Sequence, residues 1–130
     1  MTLDARSEKN LAGVHPQLVA VVRRAAHLLE QGGPLAFIVT EGLRTEARQR
    51  QLVAAGASRT MNSRHLTGHA VDLAAKVAAT VRWDWPLYAQ LAGVMKNAAL
   101  ELGVTITWGG DWKTLKDGPH FEIDPKAYPL

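Results

Sequence analysis

The sequence predicts an α+β domain in which a small antiparallel sheet is flanked by helices, and three observations carry that expectation. Two stretches, 16–30 and 85–102, repeat apolar residues at the 3.6-residue period of helices with one face in a core. Four short runs, LAFIVT (35–40), HAVDLA (69–74), VTITW (104–108) and GPHFEI (118–123), are apolar, β-branched or alternating, as strands are. The order of helices and hairpin-like strands points to antiparallel pairing. At 130 residues the chain fits one domain, 1–130, around a single apolar core, and no repeat, linker or low-complexity tract divides it.

Each element has a local reason. Pro16 suits a first helical turn, Leu18, Val21, Val22, Ala25, Leu28 and Leu29 share one face, and Gly32, Gly33 and Pro34 stop the helix. The apolar run 35–40 reads as a buried strand leading into EGLRTEARQRQLVAAG, where Thr45 can cap a helix that Gly56 ends. The stretch GASRTMNSRHLTG (56–68) is small, polar and turn-prone, and is expected to be a loop. In the strand 69–74, Gly68, Ala70 and Asp72 fall on one face and His69, Val71 and Leu73 on the other, so the carboxylate stands on a face of small residues with room around it. No element is assigned from there to Trp83. From Trp85 the helix carries apolar residues at 88, 91, 92, 95, 99 and 102, and Gly103 caps it. In 118–123, His120 and Glu122 share a face while Phe121 and Ile123 pack behind; the tail DPKAYPL extends neither kind of element far.

Composition excludes more than it assigns. With 47% hydrophobic and 21% charged residues the chain is an ordinary globular sequence. The net charge of +3 favours an anionic partner, yet no basic block appears, which argues against a nucleic-acid module. Without cysteine there are no disulfides or thiolate ligands, so any metal falls to His, Asp and Glu. The opening MTLDARSEKN is polar, which leads to the expectation of no signal or membrane segment and of synthesis in the cytoplasm.

His65 and Asp72 lie at the mouth and on the open face of one strand, and His120 on the open face of another. If the strands are neighbours, two imidazoles and a carboxylate converge, a three-ligand zinc set with the fourth position free, as hydrolytic sites have. The residues equally allow His65 and His120 to bond loop carbonyls while Asp72 caps a turn, and spacing leaves both readings open. Asp117, three residues before His120, is either a general acid/base or simply the start of an Asp-Gly turn.

Taken together, SRHLTGHAVD (63–72), WGGDW (108–112) and DGPHFE (117–122) resemble the D-alanyl-D-alanine carboxypeptidase and dipeptidase (VanY/VanX-like, M15) family of zinc peptidases. Within it, the chain is most similar to phage endolysins and bacterial wall enzymes that act as L-alanyl-D-glutamate peptidases, over about Leu11 to Tyr128. The resemblance implies an M15/hedgehog-like zinc peptidase fold, Zn2+ on His65, Asp72 and His120, Asp117 as catalytic base, and Arg44 and Ser63 in contact with substrate. A fixed Arg44 guanidinium would hold a carboxylate or a developing oxyanion by paired donors; its plainer role is a surface salt bridge to Glu41 or Glu46. The implied partner is the peptidoglycan stem peptide, cut between L-Ala and D-Glu by a monomer that binds no nucleic acid and inserts in no membrane. Such a lysin would be made in the host cytoplasm and would act on the wall, in the periplasm, after another protein opens the membrane at lysis. The rival within enzymes is a D,D-carboxypeptidase or D-Ala-D-Ala dipeptidase; the rival of another class is a wall-binding zinc domain without turnover.

Other residues are expected to play smaller parts. His69 reads as packed or backbone-bonded rather than a ligand, and His15 and His27 as structural or solvent-facing. Trp108 and Trp112 are candidates for the groove wall or the core, and Glu122 for orienting the His120 ring.

Overall fold

The computed structural model describes residues 3–58, 61, 63–114 and 116–124. Among these, one antiparallel sheet forms from β1 (Leu35–Glu41), β2 (Ala70–Val77), β3 (Thr80–Arg82), β4 (Ile106–Trp108) and β5 (His120–Ile123). The strand order is β1-β2-β5-β4, and β3 pairs with the second half of β2. The helices are α1 (Ala5–Asn10), α2 (Pro16–Glu30), α3 (Glu46–Ala54) and α4 (Trp85–Leu102), with 3-10 turns at Arg64–Thr67 and Gly109–Asp111.

The core lies between one face of the sheet and the pair α2 and α4. Leu18, Val21 and Val22 of α2 and Leu91 and Met95 of α4 are fully buried with Val71, Leu73, Phe121 and Ile123 of the sheet. Each such side chain contributes roughly 1.5–3 kcal/mol by leaving water. Both long helices keep the bounds their periodicity gives. The His15 ring caps α2, its Nδ1 accepting the Gln17 N–H at 3.1 Å, and Gly103 ends α4 in the left-handed region at φ 69°. Thr45 caps α3 by accepting the Arg48 N–H at 3.1 Å.

Several local features depart from the sequence expectations. α1 was not expected, because six residues of ARSEKN show no apolar period. The Asp4 carboxylate caps it on the Ser7 N–H at 2.8 Å, and its polar residues then bind the edge of β1. Ser7 Oγ accepts the Val39 N–H at 2.9 Å, and Asn10 donates to the Val39 carbonyl at 2.8 Å. β2 runs to Val77 rather than 74 and returns as β3 through Ala78 and Ala79, both at positive φ (50° and 69°). A two-residue hairpin of that geometry usually advertises itself with Asn or Gly, and here alanines hide it. β4 and β5 begin at Ile106 and His120, later than expected, and the loop 56–68 contains the 3-10 turn that carries His65. In the tail, only Asp124 is described, its N–H donating to the Thr105 carbonyl at 2.9 Å; residues 125–130 lie outside the described residues. No helix among the described residues is long and apolar enough to cross a membrane.

Candidate active site

Strand register assembles the site. On the sheet face away from α2 and α4, Asp72 of β2 stands opposite His120 of β5 on one side and Glu41 of β1 on the other; an irregularity between Val39 and Glu41 sets the latter pairing. His65 arrives from the 3-10 turn, which Ser63 caps by accepting the His65 N–H at 3.2 Å. The turn is pinned to the segment after β1, since His65 Nδ1 lies 2.8 Å from the Gly42 carbonyl and the Arg44 N–H donates to the His65 carbonyl at 2.9 Å.

These contacts fix the tautomers. A carbonyl accepts only, so His65 Nδ1 carries hydrogen, and its Nε2 faces Asp72 Oδ1 at 3.2 Å. His120 is oriented in the opposite sense, with Nε2 2.7 Å from Glu122 Oε1 and Nδ1 3.5 Å from the same Asp72 oxygen. Acceptors this close face one another only with a proton or a cation between them. The ligand atoms of His65, Asp72 and His120 all lie within 4.8 Å of one another, and this donor set fits a divalent ion. Both sequence readings of His65 are therefore present in one ring: one nitrogen bonds a loop carbonyl and the other joins the cluster.

The electrostatics agree. Burial pushes the Asp72 carboxyl up, but hydrogen bonds from His120 and His65 outweigh it and hold the group well below the usual carboxylate range. Burial also disfavours charge on His120, yet Asp72 and Glu122 overcome this and raise the metal-free imidazole to about 9. Asp117, half-buried beside the cluster, is pushed up by desolvation and by the Asp72 charge, against the pull of His120, His65 and Arg44. A carboxyl so placed exchanges a proton more readily near neutral pH than an ordinary aspartate.

Asp117 owes its position to Gly109. The Asp117 N–H donates to the Gly109 carbonyl at 3.1 Å, and a Cβ on residue 109 would meet the Asp117 carbonyl at 2.3 Å and the His120 Cβ at 3.0 Å. At Gly110 a Cβ would strike the Trp108 ring at 2.3 Å. The two tryptophans of WGGDW divide between their two expected roles. Trp108 is buried and donates to the Gly118 carbonyl at 2.7 Å, while the Trp112 ring stands 4.9 Å from that of His120 and lines the cleft. That cleft, about 1150 Å³, is open to solvent above Asp72 and His120.

Arg44 is neither free nor on the surface. It is ion-paired to Glu41, donates to Gln49 Oε1 at 2.7 Å, and lies 3.5 Å from Ser63 Oγ and 3.7 Å from Asp72 Oδ2. Glu46, its other expected partner, pairs with Arg50 instead. Glu41 is thus the partner the sequence offered for Arg44, whereas no part at the site was expected of Gln49 or Arg64. Gln49 is fully buried and donates to Ser58 Oγ at 2.8 Å, tying α3 to Arg44. Arg64 Nε stands 3.2 Å from Glu122 Oε2, and its Nη2 donates to the Ile123 carbonyl at 2.9 Å. The one sequence signal was for Gln49, a polar residue on the helix after GLRT; nothing marks Arg64.

One correction concerns the small residues before Asp72, which do not make room for a ligand. Gly68 adopts φ +75°, and a Cβ there would fall 2.3 Å from the Gly13 carbonyl; Ala70 is fully buried. Gly68 allows the α1–α2 loop to close on the turn before β2. His69 joins no cluster: its Nδ1 meets Thr67 Oγ1 at 2.7 Å and its ring lies 5.6 Å from that of His15.

Two imidazoles and one carboxylate around a shared point could hold a metal ion, and with a carboxyl of raised pKa alongside and an open cleft above they suit a centre of the hydrolase class. A family model described as phage L-alanyl-D-glutamate peptidase matches residues 1–128, and the chain belongs to that family. The L-alanyl-D-glutamate peptidase of Escherichia phage T5 is 35% identical over 126 residues, 94% of this chain and 88% of that protein. The crystal structure of the Serratia marcescens L-Ala D-Glu endopeptidase ChiX superposes with a TM-score of 0.89 at 53% identity, covering all of this chain and 93% of that one. The vancomycin-resistance D,D-dipeptidase VanXYg, at 17% identity and a TM-score of 0.54 over 85% of this chain and 50% of that one, shares the fold.

Proposed function

We propose that the protein is a zinc peptidase that cuts the peptidoglycan stem peptide between L-Ala and D-Glu. The observation that carries this reading is the meeting of His65 Nε2 and His120 Nδ1 at one oxygen of Asp72, with Asp117 beside them on the cleft wall. The names of the phage and bacterial relatives supply the bond.

His65, Asp72 and His120 would hold zinc, whose all-nitrogen-and-oxygen donor set here suits it. When bound, the ion supplies acidification of water and polarisation of the scissile carbonyl. Asp117 takes one proton as water oxygen bonds the carbonyl carbon, then returns it to the amide nitrogen as the C–N bond breaks; the water's second proton passes from the new carboxyl to the amine, leaving a carboxylate and an ammonium. Arg44, held rigid by Glu41 and Gln49, faces the same corner as Asp72 and stabilises the oxygen on which negative charge develops, while Ser63 helps to set the guanidinium. Glu122, itself braced by Arg64, keeps His120 turned with Nδ1 toward the cluster. With this substrate the protein works at the cell wall, which it reaches from the host cytoplasm once the membrane is opened at lysis.

Digestion of purified peptidoglycan tests the reading. New N-terminal D-Glu is expected; release of D-Ala would instead indicate the D,D-peptidase chemistry. Asp117→Ala is expected to abolish wall lysis while folding and zinc content persist, whereas a wall-binding domain without turnover would keep its effect on cells.

A further inference from the structure

Among the described residues, four arginine and lysine side chains line the cleft, and three of them already face acids. Arg44 is paired with Glu41, Arg64 with Glu122, and Arg48 Nε leans to 4.0 Å from Glu41 Oε2. Lys116 is exposed on the same wall as Trp112 and Asp117, and has no ion-pair partner among the described residues. Lys116 therefore lines the cleft with no ion pair to any of its carboxylates among the described residues.

Its wall is also the leaving-group side. A base that returns its proton to the departing nitrogen has that nitrogen next to it, so the residue after the scissile bond lies along the Asp117 side of the cleft. If the bond is L-Ala–D-Glu, as proposed above and on which this step rests, that residue is an acid whose chain continues through one of its two carboxyls. The other stays free, and where the chain continues through the side-chain carboxyl, the free carboxylate sits on the carbon bonded directly to the leaving nitrogen.

We propose that Lys116 forms a carboxylate subsite that takes this free carboxylate of the residue following the scissile bond and so selects an acidic residue there. Lysine suits the task, since a flexible point charge can follow the carboxylate as the amide becomes tetrahedral. The contact is solvent-exposed, so it sharpens selection rather than carrying the chemistry, and salt weakens it.

The test uses two synthetic peptides with the zinc-loaded enzyme: N-acetyl-L-Ala-γ-D-Glu-L-Lys, and the same peptide with the free carboxylate converted to a carboxamide. The unaltered enzyme is expected to prefer the acid by about tenfold in kcat/KM, the size of one exposed charge-assisted hydrogen bond. Lys116→Met is expected to erase that preference through KM on the acid while leaving the amide within about twofold, and Lys116→Arg to restore it. Lys113→Met, an equal loss of charge outside the cleft, is expected to alter neither peptide. Equal losses on both peptides, no loss on either, or the same change in Lys113→Met would overturn the subsite while leaving the bond assignment standing. Failure of the unaltered enzyme to cut either peptide would overturn the bond assignment and the subsite with it.

Discussion

Phe121 lies between His120 and Glu122 in one short strand, and the three side chains serve opposite faces of the sheet. On the face of Phe121, apolar side chains from β1, β2 and β5 meet α2 and α4 and are held by exclusion of water. On the face of His120, the residues Glu41, Asp72, His120 and Glu122 are held by hydrogen bonds and ion pairs. The helices follow the same division. α4 buries Tyr88, Leu91, Ala92, Met95, Ala98 and Ala99, whereas α3 buries only Gln49 and is anchored by that side chain's hydrogen bonds. Stability thus resides mainly on one side and the proposed chemistry on the other, so substitutions should separate the two.

The largest effect is expected on the polar side. Asp117→Asn should lower kcat by roughly 10²–10⁴-fold, the usual range for a lost general base, with zinc content unchanged. Melting of the metal-free variant at neutral pH should be unchanged or slightly higher, because burial and Asp72 both disfavour the ionised aspartate that is removed. A variant that unfolds instead would merge the two sides. Next comes the apolar side, where Leu91→Ala should cost about 2–5 kcal/mol in denaturant melts yet leave kcat of the folded fraction within about twofold. A large fall in kcat at full folding would show that the helical face tunes the site.

Gly109→Ala sharpens the comparison without removing any ionisable group. The added methyl must displace the Asp117 backbone, so activity is expected to fall about 10–100-fold while zinc affinity stays near that of the parent. Unaltered turnover would mean that the loop accommodates the methyl and that the placement of Asp117 is not limiting. The smallest effect is a pH trend in the metal-free protein. The folded value of about 9 for His120 stands above its ordinary 6.5, so its stabilisation is complete below about pH 6.5 and disappears as pH rises through 9. Tm should fall over that interval, and the fall should be smaller in His120→Asn; equal slopes would remove His120 from the explanation.

The apolar side was legible because periodicity records burial. Leu18, Val21, Val22 and Ala25 gave α2 its bounds, and residues 88 to 102 gave α4 its own. The polar side follows no period. His65, Asp72, His120 and Asp117 could be nominated one by one, but their convergence depends on β2 pairing with β5, which local sequence does not encode. Resemblance of the combined motifs supplied what spacing left open. Gln49 and Arg64 escaped notice because a buried polar residue is specified by a partner distant in the chain, as Arg64 is by Glu122. Gly68 misled for a related reason: a small residue reads alike whether it admits a ligand or another backbone, and here the Gly13 carbonyl occupies the space. The β2–β3 hairpin was hidden by alanines at positive φ, where turn chemistry ordinarily shows asparagine or glycine.

The centre itself is tested most directly by anomalous diffraction at the zinc edge from crystals of the zinc-loaded protein. One strong peak is expected about 2.0–2.2 Å from His65 Nε2, His120 Nδ1 and an Asp72 carboxylate oxygen, with the Asp117 carboxyl outside the ligand set. Zinc bound through other residues, or not bound at these three in protein that still cleaves peptidoglycan, would contradict the assignment.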